Sequence, residues 1–541
     1  PWAPTRDFAI GEFARNHGGL VPTRLVSSAE SWLCHAGVDR RAAILPWKAA
    51  EGSRQVSPLE ASTLTLKHLA EAWNHSIAGA NPDNRLEVQD VILTVPASFD
   101  AVARELTVEA ARAAGLENIT LLEEPQAAFY AWIDTQGEAW RKQVEVGDAV
   151  LICDVGGGTT DLTLIAVAEE GGNLVLTRVA VGDHILLGGD NMDLALAHTM
   201  AQAFAAKGTK LDAGQQLMLW HSCRAAKEKL FAEPKLTSTP VTVLGRGRSV
   251  IGGTLKSELV RAEMERVLVE GFFPDCPRDV EPRRTRAAGL QELGLPYASD
   301  PAVTKHMANF LHRHAETLAE RVGPRRGKKK VVAHPTAILF NGGVFKARAL
   351  QQRVVSAVNQ WGEAVGAQPV KVLTGNDLDL AVARGAAYYG QVRRGKGVRI
   401  RGGAGRSYYV GVETSLPAVP GAAPPIKALC VVPFGMEEGT ESDVPGQEFG
   451  LVVGESVDFR FLSSTVRRND AVGTIIEDWE DQIEELPPLT TTLQSTKIEG
   501  QTVPVHLHSR VTEVGTLELS CISRDKKQSW KLEFNVRERA E

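Results

Sequence analysis

The stretch AVLICDVGGGTTDLTLIAV, residues 149–167, decides the fold of this chain. Two apolar runs rich in β-branched residues flank three consecutive glycines, which predicts two strands joined by a tight turn. Because glycine has no Cβ, the backbone N–H groups of Gly156–Gly158 can approach an anion closely. The carboxylates of Asp154 and Asp161 on either side suit a hydrated Mg²⁺. The stretch therefore predicts a phosphate-and-magnesium site at a hairpin tip, and an ordinary glycine-rich hairpin is the alternative.

The bulk composition limits the classes of function. The 541 residues include 43% hydrophobic and 23% charged residues, which is typical of a globular protein with about three or four domains. A net charge of −6 argues against general nucleic-acid binding, and the basic run Arg325–Lys330 is interpreted as a solvated loop. The six scattered cysteines form no Cys-x-x-Cys pair, so no zinc or redox motif is indicated and the cytosol is expected. No apolar run is long enough for a transmembrane helix, and no Walker-type phosphate loop occurs.

Strand and helix patterns alternate around the glycine hairpin. Strands are predicted at 91–95 and 119–122, and helices at 100–114 and from 124 to 132. This alternation indicates an α/β layer with helices packed on a sheet. The composition shifts after Gly390, and short alternating runs separated by turns then predict an all-β module.

Six strings of residues occur in one order along the chain. They are TVPASFD at 94–100, AGL at 114–116, EPQAA at 124–128, DVGGGTTD at 154–161, LGGD at 187–190 and FNGG at 340–343. In this order they closely resemble the nucleotide-binding domain of heat-shock-70 (DnaK-like) chaperones. The segment after 403 is more weakly similar to the peptide-binding β-domain of that family. The resemblance implies an α/β fold, an actin-like two-lobed ATPase domain, followed by a C-terminal all-β domain of the β-sandwich type.

The resemblance also implies a domain organisation. Residues 1–145 and 374–395 would form the first ATPase lobe, and 146–373 the second lobe with a divergent subdomain at 188–330. Residues 403–541 would form the domain that resembles the peptide-binding domain. The first phosphate hairpin of the family, a Gly-Thr-Thr turn, has no match here, so we expect the chain to be truncated at its N-terminus relative to that family.

A site for ATP or ADP with Mg²⁺ between two lobes is implied by the same resemblance. Asp154, Asp161 and Glu124 would hold Mg²⁺ through water and act in hydrolysis, together with Arg15, which stands where the family has a catalytic lysine. The residues implied to contact the nucleotide are Gly156, Gly157, Gly158, Thr159, Thr160, Gly188, Gly189, Lys227, Gly342, Gly343 and Asp379. We expect ATP hydrolysis in an intact protein and little or none in the chain as given.

Several of these residues have a simpler structural explanation. Glu124 could cap the following helix, Asp379 could begin one, and Pro96 could merely end a strand. Lys227 and Arg104 could be solvated residues on helix surfaces. The resemblance instead implies that Pro96 and Arg104 relay the nucleotide state to the peptide-binding domain.

The implied function is that of a cytoplasmic chaperone that couples ATP binding and hydrolysis to the binding of unfolded or extended peptide segments. Co-chaperones or an exchange factor are possible partners, and neither nucleic acid nor a membrane is expected. The alternative is a non-catalytic scaffold or adaptor with a weak or lost ATPase, because Arg15, Glu228 and Phe231 depart from the family pattern. A sugar kinase or filament protein of the same fold is a third possibility, which the TVPA and EP strings disfavour.

Overall fold

The computed structural model of the chain divides into two compact units, Pro1–Arg399 and Ile400–Glu541. The structure describes residues 3, 5–18, 21–35, 37–47, 49, 52–99, 101–170, 173–245, 253–283, 295–322, 332–401, 404, 406–414, 425–436, 439–446, 448–454, 456–464, 466, 467, 469–493, 501–512 and 516–535. The predicted basic loop at 325–330 and the predicted helix start at Asp100 lie outside these residues.

The first unit alternates helices and strands, as its sequence predicts. Its helices are α1 (Glu12–Gly18), α2 (Ala29–Cys34), α3 (Pro58–Trp73), α4 (Ala101–Ala113), α5 (Glu124–Gln136), α6 (Gly189–Ala206), α7 (Ala213–Ala232), α8 (Arg261–Phe272), α9 (Val303–Arg313), α10 (Ala315–Arg321), α11 (Arg348–Glu363) and α12 (Ala381–Arg393). Its strands are β1 (Val91–Val95), β2 (Ile119–Glu123), β3 (Ala149–Val155), β4 (Thr160–Glu170), β5 (Asn173–Val181), β6 (Ser238–Leu244), β7 (Thr254–Val260), β8 (Ala337–Asn341) and β9 (Lys371–Leu373).

A mixed sheet forms the centre of the first unit, with its strands in the order β5-β4-β3-β8-β9. Strand β3 is antiparallel to β4 and parallel to β8. All seven residues of β3 are buried, as expected for a strand that is covered by helices on both faces. Helix α5 contacts β3, β4 and β8 and in turn packs against α12.

The main hydrophobic core covers the opposite face of this sheet. Every second residue of β3 belongs to it, and so do apolar side chains from α6, α7, α8, α9 and α11. Members from the strands are Ala149, Leu151, Cys153, Val155, Leu162 and Leu164, and members from the helices include Met192, Leu196, Leu219, Met264, Met307 and Val354.

Strands β1 and β2 form a separate two-stranded parallel sheet that contacts α5 and α12. Among the described residues up to 65, a single isolated bridge joins Leu45 and Val56. Helix α3 begins after Ser57, whose hydroxyl accepts a hydrogen bond from the backbone N–H of Glu60 and caps the helix.

The second unit contains strands but no helix among its described residues. The strands are β10 (Ile400–Arg401), β11 (Ser407–Glu413), β12 (Ile426–Val432), β13 (Thr440–Asp443), β14 (Phe449–Val453), β15 (Ser456–Ser464), β16 (Ile475–Ile476), β17 (Glu484–Thr492), β18 (Gln501–Val511), β19 (Thr516–Ser523) and β20 (Ser529–Asn535). One sheet has the order β16-β12-β11-β15-β17, and another joins β13-β18-β19-β20 with β14 also on β18.

Both sheets of the second unit contribute to one hydrophobic core, as in a β-sandwich. The members from β11, β12 and β15 are Tyr408, Val410, Leu429, Val431 and Phe461, and those from β18, β19 and β20 are Val505, Leu507, Leu517, Leu519 and Leu532. The predicted fold class, an α/β domain followed by a strand-rich domain, is confirmed. The predicted boundaries of the two ATPase lobes stay predictions.

Candidate functional site

The β3–β4 hairpin places Asp154 and Asp161 side by side. The two residues are direct partners in the antiparallel register, so their side chains lie on the same face of the sheet. Because the neighbouring Cys153 and Val155 belong to the main core, strand alternation directs Asp154 to the other face. That face is the one that α5 contacts, and α5 begins at Glu124.

Four carboxyl groups meet at this position: Glu30, Glu124, Asp154 and Asp161, called here the carboxylate cluster. Burial raises the pKa of Asp154 to about 7, the hydrogen bond from Asn341 opposes this rise, and Asp161 adds to it. Burial and the charges of Glu30, Asp154 and Asp161 raise the pKa of Glu124 well above its usual value. Each carboxyl group therefore disfavours the ionised form of its neighbours, in the same direction as burial does.

Glu30 is the member of the cluster that sequence reasoning missed. It lies in the first turn of α2, and the next residue, Ser31, has its hydroxyl 3.6 Å from where a Cβ of Gly158 would stand. Burial, then Asp161 and Asp154, raise the pKa of Glu30 to about 7. Glu30 is nevertheless exposed to solvent, so water reaches this carboxyl group.

The four side chains of the carboxylate cluster differ in their exposure to solvent. Asp154 and Asp161 are buried, Glu124 is half-buried and Glu30 is exposed. Among the described residues, no lysine or arginine forms an ion pair with any of the four. An unneutralised group of carboxylates favours either a bound cation or retained protons.

The donor set of the cluster fits Mg²⁺ held through water. Asp154, Asp161 and Glu124 offer oxygen ligands, which Mg²⁺ prefers, and Mg²⁺ keeps several of its waters in proteins. Asn341 donates its Nδ2 hydrogen to Asp154 Oδ2 at 2.6 Å, while its buried Oδ1 has no hydrogen-bond partner among the described residues. Within the described ranges, no three His, Cys, Asp or Glu side chains are arranged to hold a metal ion directly. Direct coordination by the protein alone is therefore not preformed.

Backbone N–H groups are available at the residues Gly156–Gly158, called here the glycine tip. Gly156 N–H donates to Thr159 O at 2.9 Å and closes the turn. None of the backbone hydrogen bonds between described residues uses the N–H of Gly157, Gly158 or Thr159. Three successive free N–H groups in a tight turn form a concavity that suits an anion.

Gly188 and Gly189 pack directly against the glycine tip. The N–H of Gly189 donates to Gly156 O at 3.0 Å, and that of Asp190 donates to Gly157 O at 2.7 Å. A Cβ on Gly188 would stand 2.7 Å from Gly157 O, so only glycine permits this approach. The structure thus joins the predicted nucleotide residues Gly188 and Gly189 to the tip itself.

The Thr160 hydroxyl is already hydrogen-bonded within the protein. The residue is fully buried, and its hydroxyl donates to Leu187 O at 2.7 Å. Its predicted contact with a nucleotide has no support in this geometry, because the side chain holds two segments of the protein together.

Gly342 brings the β8 turn against the same hairpin. Its φ of +85° lies in the left-handed region, and a Cβ there would stand 2.3 Å from Val155 O and 2.6 Å from Asp154 Oδ1. The following Gly343 is exposed, with open space where a side chain would be. The structure therefore packs Gly342 against Asp154 and Val155, while the shared nucleotide site of Asp154, Glu124 and Gly342 stays a prediction.

Lys227 is an ion-pair partner and not a solvated lysine. Its Nζ lies 2.8 Å from Asp193 Oδ1, and its side chain is 11% exposed. Arg224, also on α7, donates from Nε to Asp193 at 2.9 Å and pairs with Asp190. The structural alternative for Lys227 is therefore wrong, while its predicted contact with the nucleotide stays a prediction.

Two predicted site residues are exposed. Asp379 pairs with Lys346 at 2.5 Å, and both side chains are more than half exposed. Lys346 ends the short 3-10 helix that follows Gly342, so Asp379 lies near that turn. Arg15 is exposed on α1, and no contact between described residues joins it to the carboxylate cluster. Its catalytic role stays a prediction without support from these contacts.

Arg104 is buried, which corrects the expectation of an exposed helix residue. It is 1% exposed and donates to the carbonyl oxygens of Phe99, Ala97 and Pro96 at 3.2, 3.2 and 3.4 Å. It also pairs with the buried Glu123 at 3.2 Å. Arg104 therefore holds the loop after β1, and the coupling role of Pro96 and Arg104 stays a prediction.

Ser98 lies in this same loop and reaches the cluster. Its hydroxyl donates to Asp161 Oδ1 at 2.6 Å, and His184 Nδ1 lies 2.7 Å from the same hydroxyl. Sequence reasoning missed both residues, because a lone serine and a lone histidine carry no local signal. A serine within the TVPASFD string, followed by a histidine shortly before LGGD, was the available hint.

Comparisons with known proteins fit this fold and this site. A sequence model of the family described as "Hsp70 protein" matches residues 36–282. The chaperone protein HscA of Yersinia pseudotuberculosis is 32% identical over 322 residues, which cover 56% of this chain and 45% of that protein. The HscA homolog of Pseudomonas paraeruginosa is 29% identical over 294 residues, 52% of this chain and 42% of that protein. The alignments thus span less than half the length of these relatives.

The glycine tip and the carboxylate cluster lie in the α/β unit, part of which the Hsp70 model matches, and a strand-rich unit follows it in sequence. The chain is similar to the Hsp70 family over residues 36–282, and the relatives compared above are HscA-type chaperones. None of the helices in the described part of the chain has the length and apolarity that crossing a bilayer requires.

Proposed function

We propose that this chain binds ADP or ATP with Mg²⁺ at the glycine tip and the carboxylate cluster, and acts as a cytoplasmic chaperone of the HscA type. The observation that carries the proposal is the juxtaposition of free backbone N–H groups with acidic side chains. The N–H groups suit phosphate oxygens, and the carboxylates suit a hydrated cation that bridges those oxygens. The free N–H groups do not account for the nearby carboxylates, and the carboxylates do not account for the free N–H groups. A nucleotide with Mg²⁺ accounts for both.

Each residue has a separate part in this proposal. Gly157, Gly158 and Thr159 donate backbone N–H groups to phosphate oxygens. Asp154 and Asp161 accept hydrogen bonds from waters on Mg²⁺, while Asn341 holds Asp154 in place. When bound, Mg²⁺ neutralises charge on the phosphates and orders the attacking water. Catalysis of phosphoryl transfer is mostly positioning and electrostatics, so these residues need no covalent chemistry.

Calorimetry of the purified chain with ADP and Mg²⁺ tests the nucleotide proposal. We expect measurable binding that weakens at least about tenfold in Asp154→Asn and in Glu124→Gln, since each variant removes a charged acceptor. Asp134→Asn is the matched control, because Asp134 is an exposed residue on the same helix as Glu124. The absence of binding at millimolar Mg-ADP, or equal binding by all four proteins, would overturn the proposal.

The second unit is proposed to bind extended peptide segments of client proteins. The support is its resemblance to the family's peptide-binding domain and its composition of two antiparallel sheets around one core. Fluorescence anisotropy with a labelled, apolar, unfolded peptide tests this proposal. We expect the affinity to differ between ADP-bound and ATP-bound protein, because coupling requires each ligand to change the affinity for the other. Co-chaperones or an exchange factor belong to the same proposal.

The alternative function is a scaffold or adaptor with a weak or lost ATPase. Glu30 favours it, because a fourth carboxylate beside the phosphate position repels a nucleotide that already carries several negative charges. Phosphate release that is abolished in Asp154→Asn would exclude this alternative. Nucleotide binding without phosphate release would support it.

A further inference from the structure

Three residues from three segments form one hydrogen-bonded row beside the candidate nucleotide site. Ser98 Oγ lies 2.6 Å from Asp161 Oδ1 and 2.7 Å from His184 Nδ1. Ser98 follows β1, Asp161 is the second residue of β4, and His184 follows β5. The row therefore connects the central hairpin with two segments that are distant in sequence.

The chemistry of the three groups determines which atom donates. An ionised carboxylate only accepts hydrogen bonds, and a serine hydroxyl has a single hydrogen. The Ser98 hydrogen therefore goes to Asp161, and His184 Nδ1 must carry a hydrogen that it donates to Ser98 Oγ. The buried Nε2 of His184 has no hydrogen-bond partner among the described residues. Of the described contacts, the Ser98 hydrogen bond and an edge contact with the Phe99 ring are those that orient the imidazole.

This arrangement differs from that of a nucleophilic serine. In a Ser-His-Asp triad the imidazole accepts the serine hydrogen, and the carboxylate binds the far side of the imidazole. Here the carboxylate receives the serine hydrogen directly, and the imidazole is the outermost member of the row. Ser98 thus serves the carboxylate and is not activated for attack.

The rigid setting of Ser98 supports a positioning role. Arg104 binds three carbonyl oxygens of the same loop, including those of the residues on both sides of Ser98. Arg104 is in turn held by Glu123, which also pairs with Arg178 on β5. A hydroxyl on so firmly held a loop fixes the oxygen that it contacts.

We propose that Ser98 and His184 are positioning residues for Asp161: they hold its Oδ1, so that its remaining lone pairs are available to a water on Mg²⁺. The inference rests on the proposed nucleotide function. In it, Ser98 and His184 affect a bound ligand only by way of Asp161.

Calorimetric titration with ADP, in Mg²⁺ and separately in EDTA, tests this inference. The quantity compared is the gain in affinity that Mg²⁺ produces in each protein. Ser98→Ala should reduce this gain about tenfold, since a hydrogen bond to a charged group is lost. Ser98→Thr, which keeps the hydroxyl, should restore it. The affinity in EDTA should remain within about twofold of the original protein, because no phosphate contact changes.

Two amide variants at His184 separate positioning from general structure. The amide of His184→Asn can place its N–H where Nδ1 stands, whereas that of His184→Gln places it where Nε2 stands. We expect His184→Asn to keep the Mg²⁺ gain and His184→Gln to lose it about tenfold. Both variants are similar in size and polarity, so thermal unfolding of the two should agree within a few degrees.

The outcomes distinguish this inference from the proposed function. If the original protein binds ADP no better in Mg²⁺ than in EDTA, the proposed function fails. If the original protein shows the gain and Ser98→Ala keeps it, the inference alone is overturned. An equal loss of affinity in Mg²⁺ and in EDTA would also overturn it, because it would indicate a merely structural role.

Discussion

The carboxylate cluster and the contact between α6 and α7 balance their charges in opposite ways. At the α6–α7 contact, Asp190 and Asp193 face Arg224 and Lys227, and the four groups neutralise one another within the protein. In the carboxylate cluster, no lysine or arginine of the described chain pairs with any acidic member. The carboxylate cluster thus contains charges of one sign, whereas the α6–α7 contact contains pairs of opposite charge.

This difference distinguishes a candidate binding site from a structural contact. Buried charges that are already paired have little free energy to gain from a ligand, and breaking such a pair destabilises the protein. Unpaired carboxylates do have free energy to gain, either from a cation or from protons. We therefore expect substitutions in the cluster to change ligand binding, and substitutions at the helices to change stability.

The largest expected effect is that of Glu30→Lys on nucleotide affinity. Two unit charges about 6 Å apart interact by about 3 kcal/mol at an effective dielectric constant of about 20. Removing this repulsion in Glu30→Gln should therefore strengthen Mg-ADP binding by about 100-fold, and Glu30→Lys, which replaces repulsion by attraction, should strengthen it further. Calorimetry measures both effects. An unchanged or weaker affinity for Glu30→Lys would show that Glu30 does not face the phosphates.

Glu12→Lys is the matched control for this substitution. Glu12 is an exposed glutamate in the first turn of α1, another short helix near the start of the chain. The control makes the same change of charge, but no contact between described residues joins Glu12 to the cluster. An increase in affinity that Glu12→Lys shares would indicate long-range attraction by net charge, which high salt would screen.

A smaller but measurable effect is the loss of stability with rising pH in the absence of Mg²⁺. The pKa values of Glu30 and Asp154 are raised to about 7 in the folded protein, so the folded state holds protons that the unfolded state has released. The stabilisation is present in acid and is lost as the pH rises through about 7. Between pH 6 and 8 we expect the free energy of unfolding to fall by about 1 kcal/mol and Tm by a few degrees, mostly through the buried Asp154, because solvent screens the exposed Glu30.

Thermal unfolding with and without Mg²⁺ checks the prediction on pH. Saturating Mg²⁺ should restore most of the lost stability at pH 8, because it binds the ionised carboxylates of the folded state. Asp154→Asn should show a weaker dependence on pH, since one of the titrating groups is gone. A Tm that rises from pH 6 to pH 8 in EDTA would contradict the unneutralised cluster.

Local sequence was sufficient to predict the part of the site that lies on one hairpin. Asp154, the glycine tip and Asp161 follow one another within eight residues, so strand alternation and turn chemistry place them together without further information. Glu124 and Gly342 were found through the strings that accompany the hairpin. Periodicity predicted an α/β layer followed by an all-β module, and the family resemblance supplied the rest of the fold class.

The remaining residues of the site depend on tertiary packing. Glu30 lies on a six-residue helix that begins after Ser28, whose φ of 55° is unusual for a residue other than glycine, and nothing local predicts where that helix packs. Arg104 is buried because the loop after β1 folds its carbonyl oxygens onto the guanidinium. Arg15 was expected at the catalytic position because the family resemblance places a lysine there, and that resemblance does not determine where α1 lies.

At the α6–α7 contact we expect a smaller effect, which falls on stability and not on ligand binding. Lys227→Met removes one partner of the buried Asp193, but Arg224 continues to neutralise that carboxylate. We expect the free energy of unfolding to fall by about 1–2 kcal/mol, with less than a threefold change in Mg-ADP affinity. Lys229→Met, an exposed residue on the same helix, should change neither. A tenfold loss of affinity at unchanged Tm would instead establish the nucleotide contact that the family resemblance implies.

Substitution of Asp379 should have the smallest effect. It tests whether the base of a bound nucleotide reaches this residue. The Asp379–Lys346 pair is exposed on both sides, and such pairs contribute about 0–1 kcal/mol. Asp379→Asn should therefore change the free energy of unfolding by less than about 0.5 kcal/mol. If Asp379 is only a surface partner of Lys346, the ratio of ADP to GDP affinity should also stay the same. A changed ratio would mean that the ligand reaches beyond the Gly342 turn, and would make Asp379 a specificity residue and not a surface charge.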